Sequence, residues 1–325
     1  MRGITQRDVF IEAPSCWESE PVRHQRVDLN LLVALDALLT ERSVTRAAER
    51  LCVTQSAVSG MLSRLRECFG DPLLVPVGRA LQLTPRAERL VEPVREILVR
   101  VDCTLGMQLE FDPATGQRHF VIIASDYVVE VLIAEVLRRL AHEAPKLTFE
   151  VRSMAGSLGH ELDSGRVDFL VTPAHLALAE HPHTVLFEDT YSVVACRDNP
   201  VIHEGISLEL FSELGHVVYQ NGQAGHPWFE LWYANRPGPP RRIETITHGF
   251  TLLPNFILGT SRIATVQTRL ARRFCERMGL RMLAPPFETP RLTEVLQWHR
   301  FRDDDPGVQW VRHRIIQVAA SLDAF

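Results

Sequence analysis

Between residues 27 and 69 apolar positions recur at helical spacing in three short blocks. In the first, VDLNLLVALDALLTE at 27–41, Leu31, Leu35 and Leu38 form one inward line. The other two lie in SVTRAAERLCVTQSAVSGMLSRLR at 43–66, where Ser43 and Thr54 each precede an apolar run and are placed to cap it. Ala47, Ala48 and Leu51 face inward from one block; Val58, Leu62, Leu65 and Phe69 do so from the other. The two small alanines let the helices cross closely. This pattern predicts a helix-turn-helix, and it leaves Gln55, Ser56, Ser59, Gly60, Ser63 and Arg64 outward as a small polar face suited to a DNA major groove.

The pattern then changes. In DPLLVPVGRALQLTPRA at 71–87, short apolar runs flank Val77, Gly78 and Arg79, which predicts a β-ribbon, or wing, with Arg79 at its tip. Thr84 and Pro85 start another helix, in which Leu90, Val94, Ile97, Val101 and Leu105 keep a seam of alternating four and three residues. Such a seam predicts a linker helix at 84–108 that pairs with a second chain, bent at Pro93. From Arg118 onward short β-rich runs alternate with helical ones: strands at 120–124, 147–151, 167–171, 191–196, 216–219, 242–246 and 262–266, with a helix at 127–142. A last strand at 294–299 and a helix at 308–322 return to the first group. The expected fold is therefore α/β, with an N-terminal all-α winged helix-turn-helix domain at 27–83 and a two-lobed α/β domain at 117–325. Lobe 1 is expected at about 117–188 and 293–325 and lobe 2 at about 189–292, with a ligand cleft at the carboxyl ends of the strands.

Charge sharpens the reading of the first domain. The chain carries a formal charge of -5, yet from Arg42 to Arg66 five arginines (Arg42, Arg46, Arg50, Arg64 and Arg66) face only Glu49. A local positive excess of this kind attracts phosphate. Residues 1–26 lack periodicity and read as a flexible arm without an apolar run of signal-peptide length. No stretch approaches the roughly 20 apolar residues a bilayer span needs. A cytoplasmic protein with no membrane association is expected.

The motifs resemble those of the LysR-type transcriptional regulators. The resemblance rests on Ala47-Ala48, Leu51, Thr54-Gln55-Ser56-Ala57-Val58-Ser59, Leu65, Asp71-Pro72-Leu73-Leu74, Gly78-Arg79 and Leu83-Thr84-Pro85. It departs at Pro76, where such regulators usually carry arginine, and at Arg66, where many carry glutamate. More narrowly, Asp28 to Leu32, Arg64-Leu65-Arg66, Trp298-His299, Asp305-Pro306-Gly307 and Trp310 look like the subgroup of nodulation-gene activators and salicylate- or nitroaromatic-responsive regulators. The resemblance implies an effector domain like a periplasmic binding protein, promoter DNA and a small, often aromatic effector as partners, RNA polymerase as a further candidate partner, and a homodimer assembling to a homotetramer. The expected DNA-binding residues are Arg46, Thr54, Gln55, Ser56, Ser59, Gly60, Ser63, Arg64 and Arg79. Effector positions carried over by resemblance are Ser125, Asp126, Asp189, His226, Thr247, His248 and Phe250. Ser125 is also placed to cap the helix starting near Tyr127, whose N-terminus would receive a carboxylate or phenolate, although Asp126 brings negative charge there.

Other classes fare less well. The histidines His160, His175, His181, His183 and His203 form no H-E-x-x-H, and SMAGSLG at 153–159 is neither a phosphate-binding loop nor a dinucleotide fingerprint. No G-x-S-x-G elbow occurs. Neither catalytic residues, nor a metal site, nor a cofactor is expected, so the alternatives are an enzyme or a two-lobed binding protein without DNA function. The six cysteines lack a C-x-x-C pair and are expected to be mostly buried thiols, with Cys196 and Cys275 the candidates for any redox role.

Overall fold

The computed structural model describes residues 28–78, 80–105, 110–154, 158–220 and 228–322. The arm at 1–26, the wing-tip Arg79, the end of the linker helix at 106–108 and His226 lie outside the described residues. The chain divides into two compact units at Val94.

In the first unit, α1 (Leu29–Glu41) begins at Asp28, whose carboxylate accepts the Asn30 N–H at 3.0 Å. Ser43 and Thr54 cap α2 (Val44–Leu51) and α3 (Gln55–Phe69), accepting the N–H groups of Arg46 and Ala57, each at 3.3 Å. These are the expected caps, and each satisfies a donor that the helix itself leaves unpaired. Ala47, Ala48, Val58, Leu62 and Leu65 are buried, as are Leu31, Leu35 and Leu38 of α1; Leu51 and Phe69 are only half-buried.

The wing is the antiparallel pair β1 (Leu74–Val77) and β2 (Ala80–Leu83). Gly78 at its turn has φ +63°, the left-handed region in which a side chain would be strained. Arg66 fixes the ribbon to α3: its Nε donates to the Pro72 carbonyl at 2.8 Å and its Nη2 to Leu74 at 3.2 Å. The departure from the family pattern at this position is thus a structural clamp. Asp71 adds a second tie, accepting the Leu73 N–H and the Thr84 hydroxyl, both at 2.7 Å, while the Thr84 oxygen accepts the Ala87 N–H of the next helix at 3.1 Å.

That helix, α4 (Pro85–Leu105), carries Pro93 inside it. The expected seam divides. Val94 is buried within its own chain, Leu90 and Val101 are half-buried, and Ile97 and Leu105 stand 45% and 80% exposed. Within the second unit the helix packs through Val99, which lies so close to Gly165 that a Cβ there would meet it at 3.0 Å. Arg100 over the Phe301 ring and an Arg300–Glu96 ion pair add to the same contact.

The second unit continues through β3 (His119–Ile123), α5 (Asp126–Val128), a π turn at Val129–Ile133, α6 (Ala134–Glu143), β4 (Thr148–Arg152), α7 (Leu158–Asp163), β5 (Phe169–Pro173) and β6 (His183–Asp189). It crosses at Thr190 into β7 (Tyr191–Cys196), followed by α8 (Leu208–Glu213), β8 (Gly215–Tyr219), α9 (Trp228–Ala234), β9 (Arg242–Thr247), α10 (Leu253–Ile257), β10 (Ile263–Gln267), α11 (Thr268–Met278) and β11 (Leu280–Leu283). It then returns in β12 (Leu292–Gln297) and α12 (Pro306–Ser321). Two five-stranded mixed sheets result, ordered β4-β3-β5-β12-β6 and β11-β7-β10-β8-β9. In each sheet three neighbouring strands run parallel and a strand of opposite direction, brought by a crossing of the chain, pairs beside them. The strands absent from the sequence reading, β6 and β11, are both sheet edges.

A single apolar cluster runs through both lobes, from Phe120, Phe169 and Leu296 to Val193, Val217 and Ile263. Cysteines are less buried than expected: Cys196 is buried and Cys275 half-buried, whereas Cys52 and Cys68 are exposed. Burial pushes the Cys275 thiol up, which opposes thiolate chemistry there. Among the described residues no helix is long and apolar enough to cross a membrane, and no cluster of metal-binding side chains occurs.

Candidate functional site

Two surfaces carry candidate chemistry, one in each unit. On α3 the burial of Val58, Leu62 and Leu65 turns the opposite side outward, and Gln55, Ser56, Ser59, Gly60, Ser63 and Arg64 are all exposed there. Arg46 on α2 is exposed too, although its guanidinium donates to the Glu41 carbonyl and lies 3.8 Å from the Glu41 carboxylate. Thr54 spends its hydroxyl on the cap and on Ser56, 3.0 Å away. Arg50, counted in the local positive excess, is paired with Asp36 at 2.6 Å. Gly60 is informative because a Cβ built on it meets nothing within 4 Å. Mid-helix glycine costs about 1 kcal/mol relative to alanine, so packing inside this chain does not account for it.

In the second unit the carboxyl ends of β3, β5, β8 and β10 converge on a cavity of ≈ 100 Å³ between the lobes. Ser125, Tyr127, Pro173, His175 and Leu176 line it from lobe 1, and Tyr191, Tyr219, Trp228, Phe250, Thr265 and Gln267 from lobe 2. Leu292 and Glu294 of the returning strand β12 complete the wall. Its aromatic groups form an ordered stack: Tyr219 lies on Phe250 with ring centroids 3.8 Å apart and planes at 21°, and Tyr127 meets Phe250 edge-on at 6.4 Å. His175 and Trp228 pair across the lobes at 4.6 Å. Burial holds His175 below the usual histidine range and raises the Tyr219 phenol to about 12, so both rings are neutral near pH 7. No lysine or arginine lines the cavity among the described residues; Glu230, also in the wall, is paired with Arg241.

Of the effector positions expected from sequence, Ser125 and Phe250 line the cavity. The others do not. Ser125 caps its helix, accepting the Val128 N–H at 3.3 Å, and Phe250 belongs equally to the apolar core, 9% exposed. Asp126 is not among the lining residues and fastens the lobes: its Oδ2 accepts the Thr251 N–H at 2.9 Å and the Thr251 hydroxyl at 2.8 Å. Gly249 makes room for this tie, since a Cβ there would lie 3.2 Å from the same oxygen. Asp189 is buried behind Tyr127, accepting its hydroxyl at 2.7 Å, the Thr190 N–H at 2.8 Å and the Arg269 N–H at 3.3 Å. Thr247 is buried in β9 with its carbonyl bonded to the Gln220 N–H, and His248 is exposed with Nδ1 2.6 Å from the Gln220 carbonyl. At the helix start where a carboxylate was expected, Asp126 lies beside Ser125, and no lysine or arginine stands in the wall among the described residues.

The sequence reading missed Glu294, Gln267 and Thr265. Their signal was present, in a glutamate inside the apolar run LTEVLQ and a glutamine two positions beyond a threonine at the end of a strand.

Fold and surfaces together define a class: a winged helix-turn-helix unit, one long helix, and a two-lobed ligand-binding unit. Residues 29–88 match the bacterial regulatory helix-turn-helix proteins of the lysR family, and residues 114–320 match the LysR substrate binding domain. The chain is 40% identical over 301 residues to Nodulation protein D of Bradyrhizobium sp. (strain ANU 289), covering 93% of this chain and 89% of that protein. Among solved structures, a probable transcriptional regulator from Pseudomonas aeruginosa superimposes with TM-score 0.60 at 28% identity, over 90% of this chain and 98% of that one. Full-length OxyR from the same organism does so with TM-score 0.63 at 16% identity, over 90% and 94%. The chain belongs to the LysR family and is a DNA-binding transcriptional regulator with an effector-binding domain.

The Asp126 tie is testable by itself. Asp126→Ala removes the acceptor for the Thr251 N–H, and hydrogen exchange at that amide is expected to accelerate about tenfold or more, the equivalent of one hydrogen bond. Unchanged protection would show that the lobes are held there by packing alone.

Proposed function

We propose that the exposed polar face of α3 reads the major groove of promoter DNA and that an uncharged, flat effector in the inter-lobe cavity controls what the bound protein does there. The cavity carries this reading: its wall is aromatic, lies where open α/β sheets bind ligands, and offers no cation to an anionic effector among the described residues. Within this reading Gln55 contacts a base edge, Arg64 contacts phosphate, Gly60 admits the DNA backbone, and Arg46, Ser56, Ser59 and Ser63 complete the contact face. Similarity to Nodulation protein D supports genes of the nodulation kind as targets in the cytoplasm. Ile97 and Leu105, outward on α4, support pairing with a second copy, and two copies suit an operator with two half-sites. Higher assembly and contact with RNA polymerase follow from the family pattern.

The test is selection of bound DNA from a random library, followed by footprinting on the selected site. Gln55→Ala is expected to relax selectivity at one or two base pairs and to cost about 1 to 3 kcal/mol on that site, with little change on random DNA. Gly60→Ala is expected to stabilise the helix by about 0.5 to 1 kcal/mol while weakening DNA binding. Equal losses on selected and random DNA for Gln55→Ala, or full binding by Gly60→Ala, would reject the assigned contact face.

For the pairing, Val94 is the wrong residue to change because it is buried in its own chain. Replacing Ile97 and Leu105 together by glutamate is expected to give a monomer by light scattering, since like charges would face each other along the seam. A dimer in that variant would place the interface elsewhere.

A further inference from the structure

The cavity contains polar atoms that this chain leaves unanswered. Glu294 is 2% exposed and Gln267 is 4% exposed, yet Glu294 Oε2, Gln267 Oε1 and the Thr265 hydroxyl have no hydrogen-bond partner among the described residues. All three residues line the cavity. Thr265 and Gln267 stand two apart on β10 and so share a face, as do Leu292 and Glu294 on β12. Glu294 lies where the register between β12 and β6 shifts, a local irregularity of the kind that re-aims a side chain. Burying a carboxyl without a partner costs free energy, and such groups are retained where a ligand satisfies them.

We propose that the Glu294 carboxyl is the hydrogen-bond donor that anchors an uncharged aromatic effector through an acceptor oxygen, with Gln267 and Thr265 meeting the polar edge of the same molecule. This rests on the reading of the cavity as the effector site. The groups around Glu294 decide that it donates. Asp189, at the end of β6, is the neighbouring carboxylate, and it already accepts three hydrogen bonds. Tyr127 from α5 and Tyr191 from β7 are phenols that burial raises well above their usual range, so neither supplies charge. The Arg269 charge on α11 acts on Asp189 and Tyr127, His175 in the wall is neutral, and Glu230 is held by Arg241. Burial, then the charge of Asp189, pushes Glu294 up to about 8. The proton therefore resides on Glu294, whose Oε2 has no partner among the described residues, rather than on Asp189, which accepts three hydrogen bonds.

The acid form also fixes the pH dependence. A group whose folded pKa is raised is protonated below that value, so donor-dependent binding is complete near neutrality and is lost as pH rises through about 8. Near neutral pH an anionic effector is disfavoured, because no charged cation lines the wall among the described residues and Asp189 nearby would add like charge.

The test uses the full chain without DNA and two flat probes of matched size. 2-Acetylnaphthalene carries an acceptor and no titrating group; 2-naphthoate carries an anion. The wild type is expected to bind 2-acetylnaphthalene at least about tenfold more tightly than 2-naphthoate at pH 7, and to weaken about tenfold by roughly pH 9. Glu294→Gln keeps a donor, so it is expected to bind within about threefold of the wild type and to show no pH dependence. Glu294→Leu is expected to lose about tenfold at neutral pH. Infrared difference spectra, which need no ligand, are expected to show a protonated-carboxyl band near neutral pH that disappears above about pH 8 and is missing from Glu294→Gln. Absence of that band, failure of 2-acetylnaphthalene to bind, equal binding of 2-naphthoate, or persistence of the wild-type pH profile in Glu294→Gln would each overturn the proposal. The operator footprint is measured separately, so loss of the donor role and loss of the DNA-binding reading register in different experiments.

Discussion

A buried carboxylate organises the effector domain. Asp189 sits at the point where the chain leaves one lobe for the other, 7% exposed, and burial raises its pKa against the lowering effect of its hydrogen bonds. A charge so placed is tolerated only when its oxygens are satisfied, and the three donors come from three segments: the Tyr127 hydroxyl after β3, the Thr190 N–H at the crossing, and the Arg269 N–H in the first turn of α11. Meeting that demand fixes where α5 and α11 begin. It also sets the Tyr127 ring, which meets Phe187 edge-on at 6.3 Å and, in the cavity wall, Phe250 at 6.4 Å. The same negative charge helps keep the proton on Glu294.

The DNA-binding unit is organised by different means. Its helices are short, so their orphan N–H groups weigh heavily, and Asp28, Ser43 and Thr54 satisfy one at each start. Its core depends on the small side chains Ala47 and Ala48, and its wing on the Arg66 clamp and the Asp71–Thr84 tie. Asp71 is held below the usual carboxylate range by the Thr84 hydroxyl and then the Leu73 N–H, so this tie is anionic at neutral pH. These contacts occupy the inward and basal groups and leave the polar side of α3 outward, which is the arrangement a reading helix requires.

Much of this was legible in the sequence because its causes are local. Caps, helical periodicity and the turn glycine of the wing are properties of neighbouring residues, and Ser43, Thr54 and Gly78 do what their types and positions indicate. The two lobes and the return of the chain through β12 were also readable, since buried strands announce themselves by apolar runs. The cavity wall was less readable because its residues meet only through topology: Gln267 and Glu294 come from different sheets, and neither carries a motif. Resemblance placed Asp126 and Asp189 near the ligand. Both are close in space, yet each is committed to holding the protein's own segments in position. The seam of α4 was legible only in part, because periodicity identifies an apolar face without saying which part of it the chain itself covers: Val94 is buried, whereas Ile97 and Leu105 are exposed.

The dependence on Asp189 is most directly tested by a double-mutant cycle of Tyr127→Phe and Asp189→Asn, read from denaturant unfolding of the effector domain at neutral pH. The account predicts a coupling energy of about 1 to 3 kcal/mol, as expected for a buried hydrogen bond to a charged acceptor. Coupling within about 0.3 kcal/mol of zero would mean that the hydroxyl and the carboxylate contribute independently, contradicting the claim that this buried charge sets the cavity wall.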